Sequence, residues 1–334
     1  MNGVDEKTRT LPVTIITGFL GSGKTTLLTE IIRESSGKKI AVIQNEVSEE
    51  MGIESSLLTD SDGNIIPDFF ELPNGCVCCS AKNDMVLALE NIVNLGRDRI
   101  DAIVVETTGV ADPCSVAEIF WVDTALESSV HLDGILAVVD CLNFHKVLEE
   151  GHFLHHGEVG RRQVAISDRV ILNKTDLVDL ERVQEVRSLV KKLNPTAEMM
   201  ETCRSRVKAS WVLEIGSFTA NRNVSQLDHL PHHLSTVDHV LVKLRKGSLL
   251  EKSKIERFLA KILWEESSGY EIFRSKGVFQ SVDKKWYLSQ SVGALFEITP
   301  VPSIDQILAR EAVGKFLFIG NNLNESEISS ELFS

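Results

Sequence analysis

The sequence predicts an α/β protein: a P-loop NTPase domain on a mainly parallel sheet, followed by a smaller α+β domain. Three observations predict it. Short β-branched runs alternate with longer amphipathic stretches through about the first two thirds of the 334 residues. The pattern G-x-x-x-x-G-K-[ST] stands between the first such run and the first amphipathic stretch. A polar stretch containing Asn and His then breaks the rhythm, and the chain beyond it reads as antiparallel strands around one helix.

The elements follow in order. Residues 1–11 form a short N-terminal arm. Within the NTPase domain, residues 12–215, the runs 12–17, 39–43, 100–106, 134–140 and 169–173 read as buried strands because they are nearly continuous Val, Ile, Leu and Ala. Residues 27–34, 84–95 and 180–193 carry apolar side chains at helical spacing. DFFEL at 68–72 is a further strand-like run. Residues 216–235 read as a linker. The second domain, 236–330, is built from VDHVLVKL, the helix-like SKIERFLAKILW, then GVFQS, KWYLSQSV and KFLFIG.

Composition narrows the function classes. With 43% hydrophobic residues the chain can bury a sizeable core. No apolar run approaches the roughly 20 residues of a membrane span, so no membrane partner is expected. MNGVDEKTRT has neither the apolar stretch of a signal peptide nor the Arg-rich, acid-poor character of a transit peptide, so a cytoplasmic or nuclear location is expected. A formal charge of −13 repels phosphate backbones and argues against a general nucleic-acid partner. Proteins, cations and nucleotides remain.

GFLGSGKT, Gly18 to Thr25, is the first chemical signal. Its glycines let backbone N–H groups turn inward around phosphate oxygens, and the following helix adds the positive end of its dipole. Gly18, Gly21, Ser22, Gly23, Lys24, Thr25 and Thr26 are therefore candidate nucleotide-binding residues, with Lys24 reaching the β- and γ-phosphates and Thr25 binding Mg²⁺. The other reading is a glycine-rich turn that matches by chance.

The second signal, Asn173-Lys-Thr-Asp176, follows a strand. An Asp there accepts two hydrogen bonds from guanine N1–H and the exocyclic amine; adenine has no such donor pair, so GTP rather than ATP is the expected nucleotide. Asn173 would hold the loop and the Lys174 stem would lie over the ring. A third signal is IVVETTG, where Glu106 ends an apolar strand as an acid for Mg²⁺ and Gly109 offers a backbone N–H to a γ-phosphate. The competing reading makes Glu106 the cap of the next helix. Lys24, Thr25 and Glu106 are the candidate catalytic residues.

NGCVCCS crowds three of the six cysteines into four positions. Thiolates at Cys76, Cys78 and Cys79 can converge on a borderline-soft cation such as Zn²⁺, and no second Cys or His pair follows nearby to close a tetrahedral structural site. That incompleteness suits a metal that comes and goes. Buried packing cysteines and a redox-active pair are the alternatives. Glu46 is a candidate additional ligand on the metal or Mg²⁺ side, with a solvated loop acid as the other reading.

GFLGSGKTT, NGCVCCS, ETTGVADP and LNKTDL together resemble the CobW-type metallochaperone GTPase family, and KGVFQS with FLFIGNNL resembles its C-terminal domain. FWVDTALESSVHLDGILAVVD and ETCRSRV are most similar to the eukaryotic zinc-regulated GTPase metalloprotein activator subgroup. The resemblance implies GTP hydrolysis, zinc bound by the C-x-C-C cysteines, and zinc transfer to a client metalloprotein, for this subgroup methionine aminopeptidase type 1. Two departures stand out. MNGVDEKTRTL, the stretch before the first strand, does not carry the Cys-Pro-Glu-Leu-Val-Pro-like docking motif of the subgroup, and Gln44-Asn45-Glu46-Val47-Ser48-Glu49 stands where the family carries Asn-Glu-Phe-Gly, with Asn45 and Glu46 matching. Delivery of nickel or cobalt, or a non-catalytic zinc buffer that binds GTP, are the alternative functions, and a homodimer is a candidate assembly.

The remaining metal-binding side chains carry less. His229, His232, His233 and His239 are expected in the linker, either collecting zinc or solvated, and His152, His155 and His156 in a loop before a helix. Cys114, Cys141 and Cys203 read as isolated buried thiols.

Overall fold

The computed structural model describes residues 10–35, 38–44, 69–71, 81–94, 100–122, 129–149, 156–218, 237–245, 247–265, 269–301 and 314–333. The chain packs as two units. Residues 1–163, 167–187 and 198–215 form the first; 164–166, 188–197 and 216–334 form the second.

In the first unit β1 (Leu11–Thr17), β2 (Ile40–Gln44), β3 (Phe69–Glu71), β4 (Ala102–Glu106), β5 (Val130–Asp140), β6 (Arg169–Asn173) and β7 (Glu198–Glu201) make one sheet in the order β3-β2-β4-β1-β5-β6-β7. Every pairing in it is parallel. Val13, Ile15 and Ile16 of β1 and Ile103, Val104 and Val105 of β4 are fully buried, as strands covered on both faces require. The helices α1 (Lys24–Glu34), α2 (Ala81–Asn94), α3 (Pro113–Ala117), α4 (Ile119–Val122) and α5 (Phe144–Glu149) belong to this unit, α6 (His156–Ala165) and α7 (Leu180–Leu193) begin in it and end in residues that pack with the second, and α8 (Ala209–Leu213) belongs to it again. On α1, Leu27, Leu28 and Ile31 share the inward stripe and pack on Ile16, Val104 and Val138, each worth about 1.5–3 kcal/mol of burial. Strand order reverses at β1, and such a reversal opens a crevice at the carboxyl ends of the strands.

The second unit contains β8 (Asp238–Lys243), α9 (Lys252–Trp264), β9 (Glu271–Gln280), β10 (Trp286–Val292), β11 (Leu295–Pro300), β12 (Lys315–Asn321) and α10 (Glu325–Phe333). Its sheet runs β11-β10-β9-β12-β8, antiparallel throughout. Ile255, Phe258, Leu259 and Ile262 of α9 pack with Ile328 and Leu332 of α10 on Val240, Val242, Phe279, Phe316 and Phe318.

Several expectations need correction. β5 starts at Val130, four residues early, and α1 starts at Lys24 because the glycine-rich turn hands directly into the helix. The edge strands β7 and β11 were not anticipated: EMME has no β-branched residue, and long-range pairing makes it a strand. His239 belongs to β8, where its Nε2 lies 3.2 Å from the Leu193 carbonyl, and not to a linker. His156 opens α6 rather than a loop. Cys114 and Cys141 are buried, but Cys203 is exposed. His152, His155, His229, His232 and His233 lie outside the described residues.

Candidate functional site

The carboxyl ends of β1, β4, β5 and β6 face one crevice, and the candidate residues gather there. β1 stops at Thr17 and the chain turns through Gly18, Gly21 and Gly23 at φ +138°, +68° and +108° before α1 begins. Gly23 is required sterically as well: a Cβ there would lie 2.4 Å from Asn173 Nδ2 and 2.8 Å from Ser205 Oγ. The Ser22 hydroxyl is buried without a hydrogen-bond partner among the described residues. An unpaired buried hydroxyl costs about 1–3 kcal/mol, which a ligand oxygen inside the loop would recover. Lys24 is buried and its Nζ donates to the Phe19 carbonyl at 3.4 Å, across the mouth of the loop. Thr26 is exposed on the first turn of α1. A glycine-rich turn at positive φ, an unpaired buried hydroxyl and a lysine fit a polyphosphate.

Glu106 ends β4 with 2% exposure. Its Oε1 accepts from Thr25 Oγ1 at 3.0 Å and its Oε2 accepts from Gln44 Nε2 at 2.9 Å. A hydroxyl and a buried carboxylate are hard oxygen donors of the kind Mg²⁺ takes. Glu106 does not cap the next helix; Asp112 does, accepting from the Cys114 N–H at 2.9 Å. Between them the chain passes under the phosphate loop. At Gly109 a Cβ would come 2.5 Å from the Leu20 nitrogen, so only glycine allows the two segments to touch. Gln163 of α6 pins this segment, donating to the carbonyls of Gly109 at 3.1 Å and Ala111 at 3.2 Å.

Asn173 is the junction of the site. Its Nδ2 donates to the Ser22 carbonyl at 2.8 Å and to Ser205 Oγ at 2.9 Å, its Oδ1 accepts from the Ser205 N–H at 2.9 Å, and Ser205 Oγ donates to the Gly23 carbonyl at 3.0 Å. Phosphate loop, NKTD loop and the turn after β7 are thereby locked together. Lys174 adopts a left-handed φ of +62° and its Nζ reaches Asp140 Oδ2 at 2.7 Å. Asp176 is exposed, and the exposed Cys203 thiol hydrogen-bonds to its carboxylate. That bond, ahead of desolvation and the charge of Asp176, pushes the Cys203 thiol up.

Asp140 yields a pH prediction. Burial raises its pKa, but hydrogen bonds from Lys174, Asn143 and the Leu142 N–H outweigh it, so the carboxyl sits below the ordinary value. A depressed folded-state pKa stabilises fully above the unfolded value, about pH 4, and the contribution is lost as pH falls below that. Melting temperature measured from pH 6 to pH 3 is expected to fall less steeply in Asp140→Asn than in the wild type; parallel curves would show that the Lys174 contact contributes nothing to folding.

Comparison with known proteins decides the family. Residues 12–201 match the CobW/HypB/UreG nucleotide-binding domain, and residues 240–334 match the cobalamin synthesis protein cobW C-terminal domain. The chain belongs to the CobW family. It is 35% identical, over 94% of its length and 83% of the relative, to zinc-regulated GTPase metalloprotein activator 1 of Schizosaccharomyces pombe. With the protein of the same name from Saccharomyces cerevisiae it shares 34% identity over 82% of this chain and 72% of the relative. The crystal structure of the Zn(II)-bound YjiA GTPase from Escherichia coli superposes with a TM-score of 0.71 at 25% identity, covering 97% of this chain and 98% of that one. A triple variant of YjiA, lacking one glutamate and two adjacent cysteines, was also solved with Zn(II) bound.

Within this CobW-type chain, Gly18, Gly21, Ser22, Gly23, Lys24, Thr25, Glu106, Gly109 and Asn173 are brought together, with Lys174 and Asp176 beyond Asn173. Cys76, Cys78, Cys79 and Glu46 lie outside the described residues, and among the described residues no group of three His, Cys, Asp or Glu side chains could hold a metal. Sequence reasoning missed Gln44, Asp140, Gln163 and Ser205. Of these Gln44, Asp140 and Ser205 fall in stretches noted for family likeness or departure, QNEVS, FWVDTALESSVHLDGILAVVD and ETCRSRV, while Gln163 left no local trace.

Proposed function

We propose that this protein is a GTP-hydrolysing zinc metallochaperone that hands Zn²⁺ to a client metalloprotein, with methionine aminopeptidase type 1 as the client. The observation that carries the reading is the unbroken hydrogen-bonded path from the NKTD loop through Asn173 and Ser205 to the phosphate loop, with Thr25 set on Glu106 at the start of the next helix. The names of the yeast relatives and the zinc-bound state of YjiA support zinc as the cargo.

In this reading backbone N–H groups of the Gly18 to Lys24 loop hold the β- and γ-phosphates, and the Lys24 ammonium leaves the Phe19 carbonyl to meet them. Thr25 and Glu106 would hold Mg²⁺, which would offset the charge that develops on the phosphate oxygens. Asp176 accepts from guanine N1–H and the exocyclic amine, and Lys174, steadied by Asp140, covers the ring. Water attacks the γ-phosphorus, the bond to the β–γ bridging oxygen breaks, and GDP and phosphate leave. Cys76, Cys78 and Cys79 bind Zn²⁺ as thiolates, chemistry that suits a reducing cytosol or nucleus.

Isothermal titration of Zn²⁺ into the protein with GTP, with GDP and without nucleotide tests this. Zinc affinity is expected to differ roughly 5–150-fold between nucleotide states, and zinc must shift GTP affinity by the same factor. Cys76→Ser, Cys78→Ser and Cys79→Ser should each weaken the tight site. Because YjiA retained zinc after its triple substitution, affinity and not mere occupancy is the readout. Equal zinc affinity in all nucleotide states would leave a GTPase with no delivery function.

A further inference from the structure

Gln44 ends β2 and pairs in register with Glu106 at the end of β4. Its amide nitrogen donates to Glu106 Oε2 at 2.9 Å, and the other carboxylate oxygen accepts from Thr25 Oγ1 at 3.0 Å. A glutamate carboxyl turns freely about its last torsion unless something holds one oxygen. With Oε2 taken, Oε1 faces Thr25.

The chemistry of the partner matters as much as its position. A lysine or arginine at 44 would neutralise Glu106 and compete with a divalent cation, and an aspartate or glutamate would repel it. An uncharged amide orients the carboxylate without itself neutralising or repelling it. We propose that Gln44 is a positioning residue for Glu106, fixing the rotamer in which that acid and Thr25 present oxygen to Mg²⁺. The inference rests on the reading of Thr25 and Glu106 as the Mg²⁺-side pair.

The test uses the full-length protein carrying Gln44→Met, which keeps the bulk and loses the amide, and Gln44→Asn, whose shorter amide cannot span the gap. Binding of a fluorescent GDP analogue is titrated with Mg²⁺, and Mn²⁺ binding to the GDP complex is followed by electron paramagnetic resonance. Both variants are expected to need roughly 10–100-fold more cation for half-saturation, the usual effect of losing a residue that orients a metal ligand. GDP affinity in EDTA should stay at the wild-type value, an outcome that general loosening of the fold would not produce. In a double-mutant cycle, adding Gln44→Met to Glu106→Gln should cause no further loss.

Wild-type cation dependence in both variants, or fully additive losses in the cycle, overturns the inference. So does failure of both variants to fold, because a positioning role leaves the fold intact. Cation-independent nucleotide binding by the wild type would instead remove the reading of Thr25 and Glu106 on which Gln44 depends.

Discussion

Asp176→Asn is expected to turn a GTP site into one that prefers XTP. Guanine presents two donors along one edge, N1–H and the exocyclic amine, and a carboxylate accepts both. An asparagine offers one acceptor and one donor, so its NH₂ meets the guanine amine donor to donor. Xanthine has a carbonyl where guanine has that amine and restores the match. Losing one charge-assisted hydrogen bond costs about 1.5–3 kcal/mol, and facing two donors adds about 1–3 kcal/mol, together on the order of 10²–10⁴-fold. Asp176 is exposed, so water relieves part of the mismatch and the lower end applies. Phosphate release measured with GTP and XTP should show kcat/KM for GTP falling roughly 10²-fold while that for XTP rises. A variant that still prefers GTP would mean the base is read elsewhere.

Gly23→Ala carries the second large effect. Gly23 sits at φ +108° and ψ 25°, a region that costs an L-residue roughly 1–2 kcal/mol or more. The added methyl would also lie 2.4 Å from Asn173 Nδ2 and 2.8 Å from Ser205 Oγ. Neither neighbour can swing away cheaply, since each is buried and bonded to the other and to the phosphate loop. Breaking even one of these contacts adds about 1–3 kcal/mol. We expect a melting temperature about 6–15 °C lower and a GTP affinity reduced by roughly 10²-fold or more. Gly21→Ala is the control, because Gly21 also has positive φ but nothing lies within 4 Å of a Cβ there. Differential scanning fluorimetry and fluorescent-nucleotide binding on both variants decide it. If Gly23→Ala is no worse than Gly21→Ala, the Asn173 junction does not hold the site together.

The two variants also mark where the chain could be read without its fold. Gly18 to Thr25 was legible because strand, turn and helix are local, and their spacing states the backbone geometry phosphate needs. Asn173 to Asp176 was legible for the same reason. Cys203 was misread: an isolated cysteine in a chain that reads as reduced is usually buried, yet this one is exposed beside a carboxylate 27 positions earlier, a proximity no spacing rule encodes. β7 was missed because its residues have weak strand preference and become a strand only by pairing with β6.

By itself, then, the sequence determined which chemical groups the protein carries, the three clustered cysteines among them, and the local backbone of the glycine turn, the acid at a strand end and the NKTD loop. Tertiary structure alone decided which of those groups meet. Gln44 reaches Glu106 across 62 positions, Asn173 reaches Ser22 across 151, and Ser205 reaches Gly23 across 182. These contacts depend on the order in which parallel strands are laid side by side, and that order is chosen by burial of the whole sheet rather than by any short stretch within it.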